Sequence, residues 1–122
     1  MIPVVEISGC KVSENCYNRG EFSWDVATLI SYCKEKNYPV FDLPLAAIPM
    51  SGMPLTITTY KQFIQHCKRV HDADLEYPII LDDNGSVADG YHRIAKAVLR
   101  GDVTIKAIRI LEMPAESGKI EK

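Results

Sequence analysis

Apolar residues recur at helical spacing in three stretches of the chain, and this pattern predicts three helices. The i, i+3, i+4, i+7 spacing places them near residues 24–36, 59–71 and 90–100, each with one buried face. The apolar positions of these faces are Val26, Leu29, Ile30 and Cys33, then Tyr60, Phe63, Ile64, Cys67 and Val70, then Tyr91, Ile94, Ala95 and Val98. The three helices should therefore pack these stripes against a sheet.

The residues at the ends of these stretches are typical of helix termini. Ser23 and Asp89 can each accept a hydrogen bond from the first backbone N–H groups of the helix that follows. Thr59 and Gln62 have the spacing of a capping box. Gly101 is the expected end of the third helix, because glycine readily adopts the left-handed conformation found after helix C-termini.

Strand patterns separate the helices. Alternating or β-branched apolar residues predict strands over 2–7, 41–48 and 77–81, a short return strand over 86–88, and a last strand over 103–111. Pro44 restricts its strand to a sheet edge or to a strand with a break. The run Asp82-Asp83-Asn84-Gly85 predicts a tight hairpin turn, since Asn-Gly is a strong hairpin signal.

Together these elements predict a single small α+β domain, with a mixed, partly antiparallel sheet packed by about three helices. Residues 1–37 are the predicted N-terminal extension, made of a strand, a polar loop over 11–20 and the first helix. Residues 38–111 are the predicted core. Residues 112–122 are a polar C-terminal tail that should fray.

Composition and charge narrow the classes of function. The 122 residues include 14 Lys and Arg against 16 Asp and Glu, which gives a formal net charge of −2. This balance argues against unaided binding of DNA, which a basic domain would favour. No apolar run approaches the roughly 20 residues of a membrane helix, and the N-terminus lacks the pattern of a signal peptide. We therefore expect a cytoplasmic protein with no membrane partner.

The cysteines indicate neither disulfides nor a metal site. Cys10, Cys16, Cys33 and Cys67 are scattered along the chain, with no CxxC pair and no Cys/His cluster at zinc-ligand spacing. Cys33 and Cys67 fall on the apolar faces of predicted helices, where a thiol acts as a small hydrophobic group.

The start of the third helix carries the clearest chemical pattern. Gly90, His92 and Arg93 stand in its first turn, where free backbone N–H groups and the positive end of the helix dipole meet. Glycine lets an anion approach the backbone closely, and arginine can hold a phosphate through two hydrogen bonds. The pattern indicates a phosphate site. The alternative is a charged solvent face that has histidine and arginine in its first turn.

The same segment resembles a known superfamily. Asp89-Gly-Tyr-His-Arg-Ile-Ala-Lys-Ala, following Ile79-Ile-Leu-Asp-Asp-Asn-Gly-Ser-Val, resembles the ParB/sulfiredoxin core, in which a hairpin leads to a Gly-x-His-Arg turn that opens a helix. With Leu43-Pro-Leu-Ala-Ala-Ile48 and the helix after Thr59, the resemblance covers about residues 40–110. It implies that ATP, ADP or CTP binds with Mg²⁺. The phosphate-binding residues that it implies are Asp89, Gly90, Tyr91, His92 and Arg93.

Two departures from this superfamily limit the function. A sulfiredoxin needs a reactive cysteine between the glycine and the histidine, where this chain has Tyr91, so sulfinic-acid reduction is excluded. The chain ends soon after its last predicted strand, which leaves no room for the helix-turn-helix of a complete ParB clamp. The Asp-Gly-x-His-Arg form of the motif is most similar to that of kinases that phosphorylate free serine.

Three functions remain open from the sequence. The first is an enzyme of phosphoryl transfer or nucleotide hydrolysis, a small-molecule kinase or NTPase, whose catalytic residues the sequence does not identify. The second is a nucleotide-dependent switch or adaptor that acts on a protein partner. The third is a ParB-like DNA-acting nuclease or partition accessory. Ser51, Lys61 and Lys96 are secondary candidates for nucleotide contacts, whereas Asp82 and Asp83 are assigned to the hairpin turn rather than to a metal.

Overall fold

The computed structural model describes residues 1–7 and 15–119. The strands are β1 (Cys16–Arg19), β2 (Phe22–Asp25), β3 (Phe41–Pro44), β4 (Ile79–Leu81), β5 (Val87–Asp89), β6 (Thr104–Arg109) and β7 (Gly118–Lys119). The helices are α1 (Val26–Lys36), α2 (Tyr60–Asp72) and α3 (Tyr91–Arg100), with a 3-10 turn over Leu45–Ala47. These elements form one small α+β domain with mixed sheets, which confirms the predicted fold class.

Four strands form the central sheet in the order β3-β6-β4-β5. The strands β4 and β6 run parallel, and the other two pairings are antiparallel. The strand that contains Pro44, β3, lies at an edge, where a residue without a backbone N–H is tolerated. The break predicted near Pro44 corresponds to the 3-10 turn that begins at Leu45.

Successive residues of the central strands face opposite sides of the sheet, so two hydrophobic clusters form. The cluster on the α3 side consists of Leu45, Ile48, Ile79, Leu81, Val87, Ile94, Ala97, Ile105 and Ala107. The cluster on the α1 side consists of Trp24, Leu29, Cys33, Ile80, Ala88 and Ile110. The central sheet is thus covered by α3 on one face and by α1 on the other.

Residues 16–25 and residues 118–119 meet in a second sheet of three strands, in the order β1-β2-β7. The backbone N–H of Ser117 donates to the carbonyl of Ser23 at 2.8 Å. The indole N–H of Trp24 donates to the carbonyl of Pro114 at 2.9 Å. The expectation of a frayed tail is therefore wrong for residues 112–119, which bind the N-terminal part of the chain.

The N-terminal extension differs from its prediction in two elements. Residues 1–7 have no regular secondary structure, so the strand predicted over 2–7 is wrong. Within the predicted polar loop over 11–20, residues 16–19 form β1. The first part of that loop, residues 11–14, lies outside the described residues, as does Cys10.

The first helix begins later than predicted, because its expected cap belongs to a strand. Ser23 lies in β2, and α1 begins at Val26 with Asp25 at the N-cap position. Trp24, which follows Ser23 in β2, is 3% exposed and stacks on Tyr17 with ring centroids 6.0 Å apart. Burying an indole stabilises the β1-β2 hairpin by more than one capping bond would stabilise a longer helix.

The helix α2 is predicted correctly at its start and wrongly in its packing. The Thr59 hydroxyl accepts a hydrogen bond from the backbone N–H of Gln62 at 3.1 Å, and the Gln62 side chain accepts one from the backbone N–H of Thr59 at 3.2 Å. This pair is the predicted capping box. However, no residue of α2 is buried, and Tyr60 is 77% exposed. The helix packs mainly on α3 rather than on the sheet.

The helix α3 ends as predicted but faces the core through a different stripe. Gly101 terminates it in the left-handed conformation, with φ of 80°. The buried residues of α3 are Ile94 and Ala97, whereas Val98 is 44% exposed. The buried face of α3 is therefore rotated by part of a turn from the predicted stripe, and the prediction that Val98 is buried is wrong. Since the helix has apolar residues on two adjoining faces, the spacing alone does not show which one meets the sheet.

Candidate functional site

A buried carboxylate holds the hairpin that precedes α3. The side chain of Asp82 is 1% exposed, and its Oδ1 accepts hydrogen bonds from the backbone N–H groups of Asn84 and Ser86, each at 2.9 Å. The Tyr17 hydroxyl donates to Oδ2 at 2.6 Å, and the Arg19 guanidinium donates to it at 3.3 Å. Burial alone would raise the pKa of Asp82, but these hydrogen bonds outweigh burial and hold the pKa below its ordinary value. Asp82 therefore serves the turn, as predicted.

The N-cap residue of α3 is the glycine before Tyr91, not Asp89. Gly90 is the N-cap residue, with φ of 119°, and no side chain caps the helix. Asp89 is the last residue of β5 and pairs with Ile80 of β4, so the prediction of Asp89 as the cap is wrong. Its carboxylate accepts a hydrogen bond from Nη2 of Arg93 at 2.6 Å. The first N–H groups of α3 thus lie at the helix start without a side-chain cap.

Two stacked histidines join α2 to α3. The ring centroids of His66 and His92 lie 5.0 Å apart, with an angle of 11° between the rings. Nδ1 of His66 lies 2.7 Å from Nε2 of His92, which requires that at least one of the two nitrogens carries no proton. Burial, followed by the neighbouring His66 and Arg69, lowers the pKa of His92 to about 4. Burial and Arg69 also lower the pKa of His66, so both rings are neutral at pH 7.

A cavity of about 720 Å³ opens between α1, the C-terminal half of α2 and the first turn of α3, and we call it the interhelical cavity. Its volume falls within the roughly 300–1,000 Å³ of small-molecule sites. Its polar wall contains Lys34, Lys68, Arg69, Asp72, Asp74, Asp89, His92 and Arg93. Its apolar wall contains Val26, Ile30, Cys33, Tyr38, Tyr77, Ile80 and Ile108. The cavity thus combines charged groups on α2 and α3 with an apolar surface on α1 and the sheet.

The positive charges of the interhelical cavity differ in how they are balanced. Arg93 pairs with Asp89 at 2.6 Å, and Lys68 pairs with Asp72 at 2.9 Å. Arg69 has no such partner: within the described parts of the chain, its Nε is buried without a hydrogen-bond acceptor. One guanidinium group of the cavity wall is therefore left with unsatisfied hydrogen-bonding capacity.

The structure brings together most, but not all, of the residues that the sequence assigns to phosphate binding. Asp89, Gly90, His92 and Arg93 line the interhelical cavity. Tyr91 instead lines an apolar groove of about 620 Å³ between α3 and the loop over 48–55.

The three secondary candidates lie elsewhere. Ser51 and Lys61 are exposed and line neither the interhelical cavity nor the apolar groove. The ammonium group of Lys96 donates to the carbonyls of His71 and Ala73, at 2.8 and 2.7 Å. Lys96 thus ties α3 to the C-terminal end of α2 and does not line the interhelical cavity.

The structure adds four residues to this site: Lys34, Lys68 and Arg69 line the cavity, and His66 contacts His92 beside it. Of these four, the sequence offers only Arg69 as a nucleotide contact, and it favours a solvated helix face for that residue. Lys68 and Arg69 lie on the polar face of α2, which the apolar pattern of that helix assigns to solvent. The available signal was weak: His66, Lys68 and Arg69 fall within one helical turn. Because α2 turns this face toward α3, a polar stripe becomes part of the cavity wall.

Comparisons with known proteins leave the site to be interpreted from its geometry. No protein-family model matches the chain, and the comparison with curated proteins gives no significant match. In residues 1–7 and 15–119, no three His, Cys, Asp or Glu side chains are grouped as a metal site would require. The fold and the site define an α+β domain with a charged interhelical cavity at the start of its third helix.

Within the described part of the chain, no helix is both long enough and apolar enough to cross a lipid bilayer.

Proposed function

We propose that this chain binds the phosphates of a nucleotide in the interhelical cavity. The carrying observation is that Arg93, His92 and the uncapped start of α3 line the same cavity as Arg69 of α2. Free N–H groups and the helix dipole favour an anion at such a position. The resemblance of residues 40–110 to the ParB/sulfiredoxin superfamily supports the same ligand, as ATP, ADP or CTP. A cytoplasmic location is part of this proposal.

The neutral histidine pair suits an anionic ligand. An incoming phosphate favours the protonated form of His92, because an opposite charge nearby raises the pKa of an imidazole. In the ligand-free protein, burial and the positive charge of Arg69 keep both rings neutral. Phosphate binding is therefore accompanied by a tendency to take up a proton at His92 or His66.

The apolar wall suits the remainder of a nucleotide. Tyr38 and Tyr77 line the cavity together with Ile30, Ile80 and Ile108. A base is an aromatic ring with apolar faces, and it gains most from contact with aromatic and aliphatic side chains. The polar wall thus takes the phosphates and the apolar wall takes the base.

We propose phosphoryl transfer or nucleotide hydrolysis as the reaction, with Asp89 as the general base. Arg93 holds the Asp89 carboxylate at 2.6 Å in the ligand-free chain. When Arg93 turns to a phosphate, Asp89 is free to accept the proton of a water or an acceptor hydroxyl. The oxygen then bonds to the terminal phosphorus, and the bond from that phosphorus to the leaving phosphate oxygen breaks. Mg²⁺ would enter with the phosphates, and the Asp74 carboxylate in the cavity wall is an oxygen ligand of the kind it prefers.

A nucleotide-dependent switch is the second candidate, and the packing of α2 supports it. The helix has no buried residue, and its contacts with α3 include the His66–His92 pair and the two hydrogen bonds from Lys96. Polar contacts of this kind rearrange more readily than a packed apolar interface. A ligand in the cavity would then change the position of α2 and the surface offered to a protein partner.

The test is equilibrium binding of ATP, ADP and CTP with Mg²⁺, followed by an assay of phosphate release. A charge-assisted contact is worth about 1.5–3 kcal/mol, so Arg93→Ala should weaken binding by roughly 10-fold to 150-fold. Arg100→Ala is the matched control, because Arg100 is on the same helix but outside the cavity. Both variants are compared at a temperature where thermal unfolding shows them folded. Equal losses in the two variants, or no binding by the unaltered chain, would reject nucleotide binding at this site. Nucleotide binding without phosphate release would reject the proposed reaction and favour the second candidate, a nucleotide-dependent switch.

A further inference from the structure

The residue Arg69 is a charged group of the interhelical cavity that has a buried donor without an acceptor. Its Nε is buried and has no hydrogen-bond partner among the described residues. The neighbouring cations differ, since Lys68 pairs with Asp72 and Arg93 pairs with Asp89. A guanidinium group stays charged at any physiological pH. In the ligand-free chain, the Nε–H of this permanently charged group is therefore a donor without an acceptor.

Among the described residues, no carboxylate forms an ion pair with Arg69. On α2 and α3, its positive charge contributes to the low pKa of His66 and of His92, so it repels the protonated form of either ring. On α1, Lys34 lines the same cavity and adds a further positive charge. The carboxylates of Asp72 and Asp89 are already paired with Lys68 and Arg93, and the carboxylate of Asp74 accepts the backbone N–H of Glu76 at 3.0 Å. An anionic ligand in the cavity would supply the negative charge and the hydrogen-bond acceptor that Arg69 lacks.

We propose that Arg69 binds a second phosphate of the ligand, so that the cavity selects a diphosphate or triphosphate over a monophosphate. This inference rests on the proposed function and deepens it. Arg93 comes from the first turn of α3 and Arg69 from the last two turns of α2, so the two guanidinium groups approach the cavity from different elements. A chain of two or three phosphates can contact both groups, whereas one phosphate that is held at the start of α3 leaves Arg69 unsatisfied.

Linking α2 to α3 through the ligand has a structural consequence. The side chains of α2 are not buried, so few apolar contacts hold this helix in place. A polyphosphate that binds both arginines adds charge-assisted hydrogen bonds between the two helices. Ligand binding should therefore stabilise α2 more than the rest of the domain.

The experiment measures the affinity of inorganic phosphate, pyrophosphate and ATP for the full chain by calorimetry. We expect the unaltered chain to bind pyrophosphate more tightly than phosphate. Arg69→Gln should weaken pyrophosphate and ATP binding by roughly 10-fold to 150-fold, while phosphate binding changes by less than about threefold. Arg69→Lys keeps the charge but loses the planar donor group, and its affinity should fall between those of the other two proteins. Arg100→Gln, the same substitution at an exposed arginine of α3 outside the cavity, is the control.

A second measurement separates binding from a structural role. Without ligand, Arg69→Gln should unfold at the same temperature as the unaltered chain or at a higher one, because a buried N–H donor without an acceptor is removed. NMR titration should show the pKa values of His66 and His92 rising in this variant, because Arg69 lowers both. A lower unfolding temperature with unchanged histidine pKa values would assign Arg69 to structure and overturn the inference.

The two proposals fail in different ways. If Arg93→Ala weakens ATP binding and Arg69→Gln does not, the inference about Arg69 is wrong and nucleotide binding stands. If Arg69→Gln weakens phosphate and pyrophosphate equally, the selection of polyphosphates is wrong. If no phosphate compound binds the unaltered chain, both proposals are rejected.

Discussion

Gly90 lies directly against Ile79: a Cβ placed on Gly90 would overlap Cγ2 of Ile79 and stand 2.8 Å from its Cβ. The φ of 119° at Gly90 is also a conformation that residues with a side chain rarely adopt. The sequence pattern attributes this glycine to the close approach of an anion. The packing of the helix start on β4 already requires it, whatever the ligand.

We therefore expect Gly90→Ala to destabilise the fold strongly. The left-handed backbone contributes about 1–2 kcal/mol and the overlap with Ile79 about 1–3 kcal/mol, so the free energy of unfolding should fall by roughly 2–5 kcal/mol. Urea denaturation measures the change. Gly52→Ala is the control, because no atom lies within 4 Å of a Cβ there and φ is not positive. Equal stability of the two variants would contradict the close contact.

The histidine pair should make stability depend on pH between about 4 and 6.5. Burial lowers the pKa of His92 to about 4 in the folded chain, below the ordinary value of 6.5 in the unfolded chain. The unfolded state thus binds more protons in this range, and stability must fall as the pH decreases through it. The contribution of His92 is complete above pH 6.5 and is lost progressively toward pH 4.

The pH effect is measured by urea denaturation at pH 7.5, 6 and 5. His92→Gln should lose less stability on acidification than the unaltered chain, because the variant has no imidazole to protonate at that position. The exposed His71 on α2 provides the control, and His71→Gln should retain the full dependence on pH. The same slope in all three proteins would show that the His66–His92 contact does not govern the titration.

The carboxylate of Asp82 should contribute strongly to the stability of the fold, whereas the carboxylate of Asp83 should contribute little. Asp82→Ala removes the acceptor of two backbone N–H groups and of Tyr17 and leaves a partly buried Arg19 short of one partner. Breaking a buried charged network of this kind costs about 3–5 kcal/mol. Asp83→Ala removes one partly exposed ion pair with Arg19 and should cost less than about 1 kcal/mol. Thermal unfolding of both variants distinguishes the two roles, and similar losses would refute this assignment.

The C-terminal residues should contribute to stability even though they are polar. Deleting residues 114–122 removes the strand β7 and the carbonyl acceptor of the Trp24 indole. It also removes two hydrogen bonds of Ser117, one from its N–H to the Ser23 carbonyl and one from the Asp25 N–H to its hydroxyl. At about 1 kcal/mol for each hydrogen bond, the free energy of unfolding should fall by at least about 2 kcal/mol. Near-UV circular dichroism of Trp24 follows the loss directly. Glu116→Ala, an exposed substitution in the same segment, should have little effect.

The features that the sequence predicts correctly depend on residues close to one another in the chain. The capping box of Thr59 and Gln62, the Asp82 turn and the Gly101 terminus are each set by the backbone chemistry of a few neighbouring residues. The edge position of the strand with Pro44 follows from one missing N–H group. Local chemistry of this kind is visible in the sequence.

The features that the sequence does not predict depend on contacts between distant segments. Ser23 is a good cap, but its segment pairs with β1 as a strand, and Trp24 in that strand donates to the carbonyl of Pro114, 90 positions away. Arg69 looks like a solvent-facing residue until α2 packs on α3 rather than on the sheet. The spacing of apolar residues on α3 fits two faces, and only the position of the sheet selects the face through Ala97.

The pairing of β2 with β7 also sets the order in which the chain can fold during its synthesis. Ser23 and Gly118 are partners in this ladder although they lie 95 positions apart in the sequence, so β2 leaves the ribosome well before its second neighbour is made. With elongation at about 5–20 residues per second, the hairpin of β1 and β2 must exist for several seconds with an unpaired edge. An exposed edge strand is a template for pairing with another chain. The nascent protein is therefore most prone to aggregate before residues 112–119 emerge, and slowing translation should lengthen that interval.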